Sequence, residues 1–114
     1  WNMLHPTQKA RTPYVAECLN STEGVIVASS DYLKVLPHSI DRWLPRPIVS
    51  LGTDGFGRSE GRKALRDFFE VDARFIALGA LSALARDRQI DAKLVEKAIK
   101  NLGIDPEKKN PAIS

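Results

Sequence analysis

The stretch best suited to carry chemistry is Gly52-Thr53-Asp54-Gly55-Phe56-Gly57-Arg58-Ser59. An apolar segment, Pro47 to Leu51, runs into this stretch, and a helix-like run, Glu60 to Phe69, leaves it. Strand, glycine loop, helix is the order of a phosphate-binding loop, in which backbone N–H groups and a helix N-terminus face an anion. Gly52, Gly57 and Arg58-Ser59 approximate the pattern G-x-x-x-x-G-K-[ST]. The chemistry fits less well than the spacing. Arginine is not a neutral replacement for the compact lysine charge, and Asp54 would put a carboxylate into a cradle meant for anions. No later strand ends in an acidic residue that could hold magnesium. Gly55-x-Gly57-x-x-x-Gly61 is near a dinucleotide fingerprint, but that motif needs a further strand ending in an acid, and here one helix leads into another. The plainer reading is that the glycines allow positive φ and tight strand-to-helix packing, with Ser59 as a helix cap.

The other candidates are sparse. Cys18 falls on an apolar helical stripe, which reads as a buried small hydrophobe rather than a nucleophile. His5 and His38 are the only histidines, and two His with one Cys give no zinc spacing. Glu70 and Asp72 are close in sequence but straddle a helix boundary, so they make a poor acid/base pair. Tyr32, Trp43, Phe68, Phe69 and Phe75 sit at core-type spacings rather than as a base-stacking platform. Lys97, Lys100, Lys108 and Lys109 read as a solvated face.

These residues must be positioned by a small set of elements. Thr12-Pro13 predicts a helix start, with Tyr14, Val15, Cys18 and Leu19 on one stripe. Val25 to Ala28 is apolar throughout, as in a strand buried on both faces of a parallel sheet. Ser29-Ser30-Asp31 predicts the cap of a helix carrying Tyr32, Leu33, Leu36, Ile40 and Trp43, which Pro37 should bend or interrupt. Ile48 to Leu51 is a second strand. Leu65, Phe68 and Phe69 mark a short helix. Asp72 caps a long one, Ala73 to about Arg86, apolar on nearly all sides and therefore expected to be well buried. Asp91 caps the last, whose stripe is Leu94, Val95, Ala98, Ile99 and Leu102, closed by Gly103 before a polar tail.

Strands alternating with helices give an α/β fold with a mainly parallel sheet. Two strands are fewer than a sheet usually holds, which predicts a further strand in sequence before Trp1. The 114 residues suffice for one domain, and 43% hydrophobic with 27% charged residues is an ordinary globular composition. The net charge of +3 is dispersed, unlike the clustered excess of nucleic-acid binders. No apolar run reaches the ~20 residues that would cross a bilayer. One cysteine excludes an internal disulfide and suits a reducing compartment. The absence of an initiator Met suggests a piece of a longer chain.

Four blocks carry a family resemblance: Trp1-Asn2-Met3-Leu4-His5-Pro6, Ser30-Asp31-Tyr32, Leu51 to Ser59, and Phe69-Glu70-Val71-Asp72-Ala73. Together they resemble the C-terminal end of the homodimeric bacterial pyruvate dehydrogenases, the thiamine-diphosphate-dependent decarboxylating components of the pyruvate dehydrogenase complex. The shorter core Phe56-Gly57-x-Ser59 is similar to the wider transketolase superfamily. The resemblance implies a three-layer α/β domain with a mainly parallel or mixed sheet, here lacking its first strand. It implies a cytoplasmic parent enzyme that decarboxylates pyruvate on thiamine diphosphate and magnesium and passes the two-carbon unit to a lipoyl group. Its implied partners are the preceding domains of the same enzyme, the homodimer partner and the dihydrolipoyl acetyltransferase component.

The family's thiamine motif, Gly-Asp-Gly with a later Asn, has no match: Thr53-Asp54-Gly55 lacks the first glycine, and Asn101 lies in the last helix. The expectation is therefore a truncated, non-catalytic C-terminal domain spanning 1–114, with no catalytic, cofactor-binding or metal-binding residue of its own. Asp54, Phe56 and Arg58 are its expected contact to a preceding domain or partner subunit, with Phe56 as anchor or else folded onto its own core. The rival expectation is a small stand-alone anion- or nucleotide-binding module using Gly52 to Ser59.

Overall fold

The computed structural model of this chain describes residues 1–54 and 60–113. Phe56, Arg58 and Ser59 therefore lie outside the described residues. A 3-10 turn, Asn2–Leu4, precedes α1 (Tyr14–Asn20), β1 (Ile26–Ser29), α2 (Val35–His38), a second 3-10 turn (Asp41–Trp43) and β2 (Ile48–Leu51). Three helices follow: α3 (Arg62–Phe68), α4 (Ala73–Arg86) and α5 (Ala92–Asn101).

The two strands pair in parallel with Ile26 opposite Ile48 and Ser29 opposite Leu51. Side chains alternate across such a ribbon, and the two faces are covered differently. Val27, Val49 and Leu51 reach the α4 side, where Gly79 lets the helix approach: a Cβ there would sit 3.4 Å from Val49 Cγ1. Ser50 points the other way and donates its hydroxyl to Lys34 O, 2.9 Å away, at the start of α2. The result is the predicted α/β arrangement, with a small parallel sheet between α4 and the α2 segment.

Several local expectations need correction. Thr12 makes no cap: Pro13 holds the N-cap position of α1 and no side chain bonds the first turn. On α1 the buried residue is Ala16, with Val15 and Leu19 half-buried. Tyr14 and Cys18 form the adjacent row, a helical step away, and both are exposed. β1 is half-buried rather than buried on both faces.

The helix expected from Ser29-Ser30-Asp31 onward is a single turn. Pro37 has no N–H to give the Leu33 carbonyl, so a helix containing it cannot begin much earlier. In α2, Pro37 falls in the first turn, where N–H groups have no intrahelical partner. Ser30 instead accepts from Tyr32 N in a local turn. Tyr32 and Trp43, expected in the core, are 60% and 43% exposed.

The core sits at the α3–α4 junction, where Phe69, Val71 and Phe75 are buried. Asp72 caps α4 as predicted, its Oδ1 accepting from Phe75 N at 3.1 Å. The rest of α4 is half-buried or exposed, so its apolar girth is incompletely covered. Asp91 caps α5 by accepting from Lys93 N. Gly103, at φ 67, ends α5 in the left-handed conformation, with Ile104 N donating to Ile99 O. The tail is not merely polar: Pro111 is buried.

Candidate functional site: the junction at the carboxyl ends of the strands

Ligands of open α/β sheets bind in the crevice outside the carboxyl ends of the strands. Here that end is where the chain leaves β1 through Ser30–Lys34 and leaves β2 through Gly52–Asp54. The two exits are bonded to each other. Ser30 N donates to Leu51 O at 3.0 Å, extending the ladder by one step. Thr53 N donates to Tyr32 O at 2.9 Å, and Thr53 Oγ1 to Asp31 O at 2.6 Å. Lys34 N donates to Asp54 Oδ1 at 3.0 Å. Gly52 is buried between them. A Cβ on Gly52 would lie 2.4 Å from Tyr32 O and 2.8 Å from Lys34 N, so the approach is open to glycine alone.

This geometry suits a brace better than an anion cradle. The Thr53 N–H that a phosphate would need is engaged by a carbonyl. Asp54 places its negative charge on the Lys34 N–H, at the start of α2, where an incoming anion would meet it. Of the three residues expected to form an interface, Asp54 is thus half-buried with one carboxylate oxygen turned inward. Replacing it with Ala would leave the part-buried Lys34 N–H without its acceptor. We expect Asp54→Ala to cost about 1–2 kcal/mol and Asp54→Asn, which keeps an acceptor oxygen, distinctly less, measured by urea denaturation.

The remaining candidates are dispersed. Cys18 is exposed on α1. His5 stacks on Trp1 with ring centroids 4.1 Å apart, and its Nδ1 lies 2.9 Å from Trp1 O. Arg11 lies over the Trp1 ring, 3.8 Å from its centroid, and exchanges two hydrogen bonds with Asn2. His38 is exposed, 3.9 Å from Asp41. Among the described residues no group of three or more His, Cys, Asp or Glu could hold a metal ion.

Glu70 and Asp72 have separate partners. Glu70, at φ 62, pairs with Lys108 Nζ at 3.2 Å. Asp72 pairs with Arg74 at 2.8 Å while capping α4, and Asp67 reaches the same guanidinium. The Arg74 pKa is raised, chiefly by its hydrogen bond to Asp72 and further by Asp67, so the side chain stays charged.

Lys108 corrects the solvated-face reading. It is half-buried, donates to Phe68 O at 3.1 Å, and lies 5.5 Å from the Phe75 ring centroid. The tail is thereby clasped to the core junction. Nothing in the local sequence around Lys108 marks it, because its partners are 38 and 40 residues away.

Known proteins place this geometry in context. A family described as the transketolase-like TK C-terminal domain matches residues 2–72. The chain is 52% identical over 112 residues to the "Pyruvate dehydrogenase E1 component" of Pseudomonas aeruginosa, an alignment covering 97% of this chain and 13% of that relative. The protein of the same name in Escherichia coli K12 is 44% identical over 115 residues, covering 100% of this chain and 13% of the relative. That of Mycolicibacterium smegmatis is 41% identical over 103 residues, with 90% and 11% covered. The chain thus spans little more than a tenth of these relatives' length.

Proposed function

Since this chain belongs to the transketolase-like C-terminal domain family, we propose that its 114 residues form one non-catalytic domain of a pyruvate dehydrogenase E1-type enzyme. The similarity to proteins of that name over nearly the whole chain supports the assignment. The parent enzyme decarboxylates pyruvate on thiamine diphosphate with magnesium. It then reductively acetylates the lipoyl group of a dihydrolipoyl acetyltransferase component, as a homodimer in the cytoplasm.

The described residues do not fit the cofactor themselves. A diphosphate needs free N–H donors and a metal-holding carboxylate, whereas Thr53 N–H and Asp54 are both engaged within the brace. The single observation that carries a structural role is this closure of the strand ends, Gly52 packed against the backbone of Tyr32–Lys34. At the carboxyl ends of the strands the described part of the chain bonds to itself, which supports this reading. The glycine loop remains our proposed contact to a preceding domain or partner subunit, through Asp54 and through Phe56 and Arg58 beyond the described residues.

The test uses the full-length protein and the 114-residue chain side by side. We expect the full-length protein to decarboxylate pyruvate only with thiamine diphosphate and magnesium. We expect the 114-residue chain to show no turnover and no thermal shift with thiamine diphosphate or ATP. A ligand held at 100 times its dissociation constant would add ~2.7 kcal/mol. A stabilisation of that order on the short chain would overturn the reading in favour of a binding module.

A further inference from the structure

The chain is short of core for its mass. Its accessible surface is 8526 Å², against roughly 6,200 Å² for a folded monomer of this size. The radius of gyration is 17.3 Å, where a compact domain of this length has about 13 Å. Among the described residues no side chain is fully buried. Among the described residues the sheet has two parallel strands, an arrangement that ordinarily persists only with both faces covered and further strands alongside.

The excess is not evenly spread. Tyr32, Leu33, Val35, Leu36, Ile40 and Trp43 fall within a dozen residues and are between 39% and 64% exposed. Large apolar patches of this kind mark interaction surfaces. The segment is also held in place from beneath. Lys34 is bound through its N–H by Asp54 and through its carbonyl by Ser50, and Tyr32 O accepts from Thr53 N. Ser39 ends the turn, its N–H donating to Val35 O and its hydroxyl to Leu36 O. An apolar ledge fixed by hydrogen bonds to the strand ends is preorganised, so covering it forfeits little conformational entropy.

Resting on the domain assignment above, we infer that the ledge Tyr32–Trp43 is a buried interface, and that its occupant is the remainder of the same longer polypeptide. One observation chooses this occupant over a second copy: the relatives carry most of their length outside the region this chain matches. The excess of about 2,300 Å² belongs to the whole chain, and the ledge is one contributor to it. Tyr and Trp at its two ends are the residue types that anchor such contacts.

The experiment places a photocross-linking side chain in the full-length protein, as Tyr32→p-benzoylphenylalanine and, separately, Trp43→p-benzoylphenylalanine. Lys97→p-benzoylphenylalanine, on the exposed side of α5, is the control. Both ledge positions are already exposed in the domain, so the substitutions do not disturb its core. Mixed light and heavy isotope-labelled protein separates links within one polypeptide from links between copies.

We expect ledge cross-links to peptides of the same polypeptide lying outside these 114 residues, in yield well above the control. Links mainly between copies, links to the acetyltransferase, or a yield no higher than the control would each overturn the inference. So would a gene that encodes these residues and nothing more. The readout does not depend on catalysis: an inactive enzyme with intrachain links sinks the proposed activity alone, and an active enzyme without them sinks the ledge alone.

Discussion

Gly52→Ala is expected to destabilise the domain by about 3–5 kcal/mol, a large share of the usual margin of 5–15 kcal/mol. The added methyl would stand 2.4 Å from Tyr32 O, 2.8 Å from Lys34 N and 3.0 Å from Leu33 C. These are backbone atoms and cannot rotate away. Overpacking a filled site costs typically 1–3 kcal/mol when side chains can adjust. Here relief requires parting the two strand exits, which would break Thr53 N–Tyr32 O and Lys34 N–Asp54 Oδ1, each bond contributing about 1 kcal/mol. Gly61→Ala is the control, because a Cβ there meets nothing within 4 Å. Urea midpoints of the two variants should differ widely. Equal midpoints would mean that the glycine loop is not closed on the β1 exit, and the structural reading of the strand ends would fail with it.

Phe75→Ala is expected to cost about 3–5 kcal/mol, the range for truncating a buried aromatic. Phe75 is 7% exposed, as is Phe69, and with Val71 they are the principal buried side chains of the α3–α4 junction. The cavity would open beneath Lys108, whose ammonium sits 5.5 Å from the Phe75 ring and ties the tail to Glu70 and Phe68. The measurement is the denaturation midpoint, with an unchanged slope showing that the unfolded state is the same. A loss under about 1 kcal/mol would place the core elsewhere. Phe75→Leu, which keeps most of the apolar volume, should recover much of the difference.

What was legible in the sequence follows from the range of the interactions involved. β2 stands at Ile48–Leu51 as predicted, and Asp72 and Asp91 cap α4 and α5. Strand period and helix capping depend on residues within three or four positions of each other, which a local reading can see. Pro37 was a local signal too, and its interruption of the second helix is realised as one turn followed by a 3-10 turn. The family blocks were legible because a long specific string such as Leu51 to Ser59 records a whole packing solution at once.

Burial was not legible, and the physical reason is that burial belongs to the partner surface as much as to the residue. Cys18, Tyr32 and Trp43 have core-type spacing yet stand exposed, because periodicity tells which residues share a face and not what covers that face. Lys108 reads as solvated yet forms part of the junction, because Phe68 and Glu70 reach it only after the chain has folded back.

Short-range patterns, and a string shared with relatives, were enough for the family, the α/β order, β2 and the caps of the last two helices. That Gly52 closes the strand ends against Tyr32–Lys34, that Asp54 is bound to a backbone N–H and that Lys108 locks the tail emerge only from the folded chain. Each of those depends on two segments 18 or more residues apart meeting at hydrogen-bond or van der Waals distance, and no local pattern encodes that distance.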